Sequence, residues 1–247
     1  GLGEKVDVVT FEFEHINVKA LQALEANGHK VYPSSDTLLH IQNKYDQNIW
    51  LKEHGIAIPD FAGVKTPAEI EQAGKKLGYP MMLKTCTGGY DGKGNGVIKK
   101  ETDISKVFEA LGGGKLPLMV EEFIPFQKEV SVLVCRSTNG EIKVFPVAEN
   151  VHEDSILDET TVPARITEDT KNEAMEAAKK AIEVFQGYGM FCIEFFVTKK
   201  GHVLVNEIAP RPHNSGHYTI EGCYTSQYEN HIRAILGLPL GDTGLIR

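Results

Sequence analysis

Two apolar runs, 188–198 and 202–208, flank the turn Lys199-Lys200-Gly201 and impose a β-hairpin late in the chain. Each run carries one glutamate, Glu194 and Glu207, and counting outward from the turn places the two nearly opposite each other. On one face of an antiparallel pair their Cβ atoms would lie about 4.5–5.5 Å apart. Carboxylates that close repel unless a cation sits between them or one is protonated. Two readings stand on these residues alone: a magnesium site completed by phosphate oxygens, or two glutamates on a solvated hairpin face. The second run leads directly into Asn206-Glu207-Ile208-Ala209-Pro210-Arg211-Pro212-His213-Asn214-Ser215-Gly216-His217, so an arginine and two imidazoles emerge from the same strand end. Pro212 and Gly216 argue against a helix presenting His213 and His217 together to zinc.

At 247 residues and 41% apolar content, the chain can form one large domain or two smaller ones around a sizeable core. Its 26 basic and 34 acidic residues give a net charge of −8 with no basic block, so a nucleic-acid or anionic-membrane surface is not indicated and any phosphate site is local. Cys86, Cys135, Cys192 and Cys223 lack zinc spacing and read as reduced thiols of a cytoplasmic protein. No apolar run approaches the length of a membrane span and no signal-peptide pattern opens the chain, so neither membrane insertion nor secretion is expected.

Helices and strands interleave. Val6 to Phe11 reads as a strand, Asn17 to Asn27 as a helix stopped by Gly28, and Ser35 to His54 as one helix ending at Gly55. Thr66-Pro67-Ala68-Glu69 joins an N-cap, a first-turn proline and a capping-box glutamate, and opens a helix to about Leu77. Strands follow at 79–85, 95–99, 117–121, 128–136 and 141–148, with a helix near 102–111, and Thr167 opens a long helix to about Gln186. Hairpin connections and few crossovers predict an α+β fold with antiparallel sheets. Seams are expected near 33–36 and 113–116.

Lys84-Thr85-Cys86-Thr87-Gly88-Gly89-Tyr90-Asp91-Gly92-Lys93-Gly94-Asn95-Gly96 is dense in glycine, which uncovers backbone N–H groups and permits positive φ. Such a segment can close over phosphates as a flap, with Lys84 as a fixed cation, or form a ligand-free glycine hairpin. It matches neither a Walker A loop nor the dinucleotide fingerprint. Asp91 beside Tyr90 could orient or deprotonate an amine, or bond its own backbone as a turn aspartate. Glu121-Glu122-Phe123-Ile124 closes an apolar strand and precedes Lys128-Glu129, an arrangement suited to an adenine ring and ribose hydroxyls, or to a plain surface acidic pair.

The order of lysine strand, glycine flap, Glu-Glu-Phe-Ile hinge and two late glutamates resembles the ATP-grasp superfamily. Within it, TFEFEH at 10–15, GGYDGKG at 88–94 and NEIAPRPHNSGHYT at 206–219 resemble the 5-(carboxyamino)imidazole ribonucleotide synthases of purine biosynthesis. The resemblance implies an ATP-grasp fold of two subdomains with antiparallel sheets, preceded by the remnant of an α/β N-terminal domain. It places that remnant at 1–34, the ATP-grasp domain at 35–240 with a flap-bearing subdomain about 55–115 and a larger catalytic one about 116–240, and the start of a mostly absent C-terminal domain at 241–247. It further implies a cytoplasmic homodimeric ligase that carboxylates 5-aminoimidazole ribonucleotide with bicarbonate and ATP through carboxyphosphate.

By the same resemblance, Lys44, Lys84, Gly89, Gly92 and Asn206 would contact ATP, with Glu121, Glu122, Phe123 and Ile124 around the adenine and Glu129 on the ribose. Glu194 and Glu207 would hold magnesium. Glu12, Glu14, Tyr90, Asn214, Ser215 and His152 would face the substrate, and Asp91, Lys93, Arg211 and His213 would serve catalysis, with Arg165 also turned to the site. Spread negative charge on a transferring phosphoryl group calls for cations of this kind around it. Cys86 stands where the family carries arginine, and a thiol cannot replace a guanidinium as an anion clamp. Two alternatives stay open: another ATP-grasp carboxylate–amine ligase, and, on the strength of Cys86, a nucleotide-binding remnant without turnover.

Overall fold

The computed structural model describes residue 1, residues 3–89 and residues 94–246. A short N-terminal unit pairs β1 (Val8–Val9) in parallel with β2 (Lys30–Val31), with α1 (Val18–Ala26) as the crossover between them. Only Val8 and Val9 of the expected Val6–Phe11 strand are paired.

The helix read over Ser35–His54 is two helices, α2 (Ser35–Gln42) and α3 (Lys44–Glu53), broken at Asn43. Asn43 is extended, and its side chain accepts the N–H groups of Tyr45 and Asp46, so it caps α3 instead of continuing α2. The break sets Lys44 at the first position of α3, where its N–H donates to the carbonyl of Cys86 at 2.8 Å. Helical periodicity survives such a break, which is why the pattern hid it.

A four-stranded antiparallel sheet follows, built from β3 (Phe61–Val64), β4 (Met81–Thr85), β5 (Asn95–Ile98) and β6 (Leu118–Glu122) in the order β3-β6-β4-β5. Two helices, α4 (Pro67–Leu77) and α5 (Ile104–Ala110), cover one face, and Ile70, Leu83, Ile98, Phe108 and Val120 form its core. The expected cap of α4 is present, Thr66 accepting the N–H of Glu69 ahead of Pro67. Because β6 lies between β3 and β4, the chain leaves this sheet at Phe123–Gln127, beyond the division placed near 116.

The larger sheet runs β10-β9-β7-β11-β12, with β8 beside β7, all antiparallel. Its strands are β7 (Lys128–Arg136), β8 (Ile142–Val144), β9 (Ala148–Glu153), β10 (Ile156–Thr161), β11 (Gly189–Val197) and β12 (Val203–Ala209). The strand expected over 141–148 therefore ends at Val144, and β9 and β10, polar and half-exposed, lie beyond what the pattern showed. One face packs its valines, Ile193 and Phe195 against Ala174, Ala178 and Ala181 of α6 (Glu168–Val184). The opposite face is covered in part by α8 (Gln227–Ile235) and by Tyr218 and Cys223 at the two ends of α7 (Thr219–Gly222), and is otherwise open to the site. Among the described residues no helix is long and apolar enough to cross a membrane.

Candidate active site

Strand alternation gathers polar side chains on the open face of the larger sheet. In β7, Val130, Val132 and Val134 point to α6, so Glu129 and Ser131 point away. Asn150 pairs with Glu129 and Glu194 with Ser131, which puts all four on one face. His152 reaches Glu129 with Nδ1 at 3.1 Å from Oε2, and that bond raises the imidazole above its ordinary pKa.

The two hairpin glutamates, nearly opposite by the count from the turn, are register partners across a one-residue shift. Burial first, then repulsion from Glu207, push the Glu194 carboxyl up to about 7. Burial also works to raise Glu207, but Lys44, with Lys84 and His213 behind it, holds that carboxyl below the usual range. The Lys44 ammonium lies 3.1 Å from Glu207 Oε1, and although burial opposes its charge, the carboxylates around it raise its pKa. One carboxylate is thus paired and the other is left held towards its neutral form, an arrangement that a hard cation between them would relieve.

Lys84 is buried and ion-paired with Glu121, its diagonal neighbour across β4 and β6, while Asn48 Nδ2 donates to Glu121 Oε1 at 2.8 Å. Glu122 is exposed, Phe123 is half-buried and Ile124 is buried in the segment that joins the sheets. A crevice of about 20 Å³ brings together Glu14, Gln42, Lys44, Cys86, Gly89 and Glu207. Glu14 is fixed there by Arg211, Nε to Oε1 at 2.9 Å, and burial raises its carboxyl despite that cation. The N-terminal TFEFEH segment and the late motif therefore meet. Glu12 is exposed outside this contact. Cys86 is buried, and desolvation pushes its thiol up to about 11.

The HNSGH turn is built tightly. Gln227, fully buried, accepts from the His213 N–H and donates to its carbonyl, both at 2.9 Å. A Cβ on Gly216 would collide with Gln227 and Leu133, so only glycine fits. His213 Nε2 lies 3.5 Å from Glu194 Oε1, and burial, then the charge of Arg211, push the imidazole down to about 4. Asn214 and His217 are exposed, and Ser215 is buried. Asn206 is half-buried in β12. Arg165, exposed, binds Glu149 instead of turning to the crevice, 2.8 Å between Nη2 and Oε1. Tyr90, Asp91, Gly92 and Lys93 lie outside the described residues.

Gln42 and Gln227 escaped the sequence pattern, as did Asn48, Ser131 and Asn150. Ser131 did leave a signal, a hydroxyl in the otherwise apolar run Val130–Cys135. Asn48 sits in a mixed helix and left none.

Two antiparallel sheets with a lysine on the small one, a connecting hinge and paired glutamates on the large one define an ATP-grasp protein. The chain belongs to the ATP-grasp family: the model of the ATP-grasp domain matches residues 49–228, and that of the ribonucleotide synthetase preATP-grasp domain matches residues 1–42. It is 43% identical over all 247 residues to the N5-carboxyaminoimidazole ribonucleotide synthase of Bacillus subtilis, of which it spans 64%. A crystal structure of the ADP complex of an N5-carboxyaminoimidazole ribonucleotide synthetase superposes with a TM-score of 0.94 at 43% identity, covering 100% of this chain and 64% of that one. The synthase from Aspergillus clavatus, solved with ADP and 5-aminoimidazole ribonucleotide, superposes with a TM-score of 0.91 at 39% identity, over 97% of this chain and 62% of that one.

Proposed function

We propose that this chain carries the nucleotide site and carboxylation centre of a 5-(carboxyamino)imidazole ribonucleotide synthase. In that reaction ATP phosphorylates bicarbonate to carboxyphosphate. The exocyclic amine of 5-aminoimidazole ribonucleotide then takes the carboxyl carbon, and ADP and phosphate leave. The observation that carries the reading is the meeting of Glu14, Lys44, the flap base and Glu207 in one crevice, with Arg211 on Glu14. These come from distant parts of the sequence, and similar chains have been solved with ADP and with the ribonucleotide.

Lys44 and Lys84 would bind the phosphates, the Glu121–Ile124 segment would border the adenine, and Glu129 would hold the ribose. Glu194 and Glu207 would hold magnesium, which supplies charge neutralisation for the phosphoryl group. Arg211 would stabilise the anionic intermediate, and Glu14 would orient Arg211. His213, held neutral by burial, would act as a hydrogen-bond donor at the same place. Tyr90, Asp91, Gly89, Gly92, Lys93, Glu12, Asn206, Asn214, Ser215 and His152 complete the assignment that the resemblance implies. We take the protein to work as a cytoplasmic homodimer.

ADP release by the chain with ATP, magnesium and bicarbonate, with and without 5-aminoimidazole ribonucleotide, tests the reading. A ribonucleotide-dependent rise supports it. Cys86, buried where the family has arginine, favours a second reading of nucleotide binding without turnover. ADP binding with no rise, restored by Cys86→Arg, would support that one.

A further inference from the structure

His213 stands between Glu194 and a buried chain of hydrogen bonds that leads away from the site. Thr160 Oγ1 donates to Asn150 Oδ1 at 3.2 Å, which leaves the Asn150 amide nitrogen to donate to Ser131 Oγ at 2.9 Å. Ser131 in turn donates to Ser215 Oγ at 2.9 Å. The Ser215 oxygen lies 2.9 Å from His213 Nδ1 and 3.5 Å from Cys192 Sγ, so the imidazole nitrogen is the nearer acceptor for its proton. The backbone N–H of Ser215 points at the same Nδ1, at 3.3 Å.

A backbone amide can only donate, so Nδ1 accepts, and a neutral imidazole then carries its proton on Nε2, the nitrogen facing Glu194. Ser131 and Ser215 are each 1% exposed and Asn150 is 5% exposed. Polar side chains this deep are costly unless every member is satisfied, and here each is. The clamp from Gln227 fixes the backbone of the histidine, whereas this chain fixes its ring.

We infer that Ser131 and Asn150 are positioning residues: acting through Ser215, they hold His213 as the Nε2–H tautomer, aimed at Glu194 and the reacting groups beside it. On this view the Ser215 hydroxyl is taken up by the relay, and its part in the substrate assignment is indirect, through the His213 ring. The inference deepens the proposed function, since it gives the ring its role in that same site.

The test reads the ring directly. In the nitrogen-15-labelled 247-residue chain at neutral pH, His213 ring signals, assigned by their loss in His213→Gln, are expected to show the proton on Nε2 alone. Ser131→Ala and Asn150→Leu should each bring in the Nδ1–H form, and Ser131→Thr, which keeps the hydroxyl, should restore the single tautomer. In parallel, kcat for ADP release should fall about tenfold in the two disrupting variants while KM for ATP stays within about twofold, the size seen when outer hydrogen-bond partners are removed. Ring signals that stay unchanged in both variants overturn the inference whatever the activity. A chain that turns nothing over but shows the tautomer shift would sink the proposed function and leave this inference standing.

Discussion

Glu207 faces Glu194 because β12 carries one extra residue, Asn206. From the turn outward, Val203 pairs with Val197 and Val205 with Phe195, and the next regular partner of Glu194 would be Asn206. The register shifts there, and Glu207 takes the place. Val203 and Val205 pack against α6, so strict alternation would have pointed Glu207 into that core as well. A β-bulge re-aims the carboxylate to the open face.

The pair makes the ligand-free protein pay for its function in stability. A carboxyl whose folded pKa is raised binds more protons folded than unfolded, so its contribution falls as pH rises between 4.5 and about 7. Glu194→Gln should therefore stabilise the ligand-free chain at pH 8 by about 1–3 kcal/mol, with little gain at pH 4.5. The same substitution should remove the magnesium dependence of ADP binding. Melting curves across this pH range, with calorimetric ADP titrations, check both, and a variant no more stable than the parent at pH 8 would show that burial and the Glu207 charge do not strain this carboxylate.

Lys84 and Glu121 form a different kind of pair, buried on both sides and braced by Asn48. Lys84→Met leaves a buried carboxylate without its cation and should cost about 3–5 kcal/mol in denaturant unfolding. Lys84→Met with Glu121→Gln, which keeps an acceptor for Asn48, should recover most of that loss. Additive losses in the double-mutant cycle would mean that the two side chains do not interact.

The hairpin, the α+β class and the antiparallel sheets were legible because side-chain period and turn residues are local properties. That Glu194 and Glu207 lie nearly opposite was legible from the turn, whereas the bulge that makes them partners on one face was not, since Asn206 has no local mark of a register shift. Asn43 broke a helix whose apolar spacing runs on across it, and the cap is visible only once the Cys86 carbonyl is in place. β9 and β10 were hidden because their half-exposed polar residues lack alternation. Asn48 and Asn150 act through partners 73 and 19 residues away, a relation that no spacing rule contains.

Cys86 lines the crevice yet is only 3% exposed, and burial pushes its thiol up from 9.0 to about 11. At pH 8 the thiolate fraction is then about a hundredfold below that of an ordinary thiol. Alkylation of the folded chain should accordingly be at least that much slower at Cys86 than in the unfolded chain, as followed by peptide mass spectrometry. Comparable rates would show that the thiol is open and ionisable in the folded chain.

His231 couples the N-terminal unit to the larger sheet. Its Nδ1 accepts the N–H of Met190 at 3.0 Å, and Nε2 lies 2.8 Å from Thr10 Oγ1. Burial pushes this imidazole from 6.5 down to about 4, so it stays neutral in the fold while the unfolded chain binds a proton below pH 6.5. Stability linked to His231 is complete above pH 6.5 and drains away as pH falls towards 4, by about 3 kcal/mol in all. His231→Gln cannot titrate, and its amide can offer both an acceptor and a donor. The stability gap between parent and variant should close, or reverse in favour of the variant, on acidification from pH 7 to pH 4, whereas Glu194 acts equally in both chains and cancels. A gap that stays constant over that range would show that His231 takes up a proton as readily folded as unfolded.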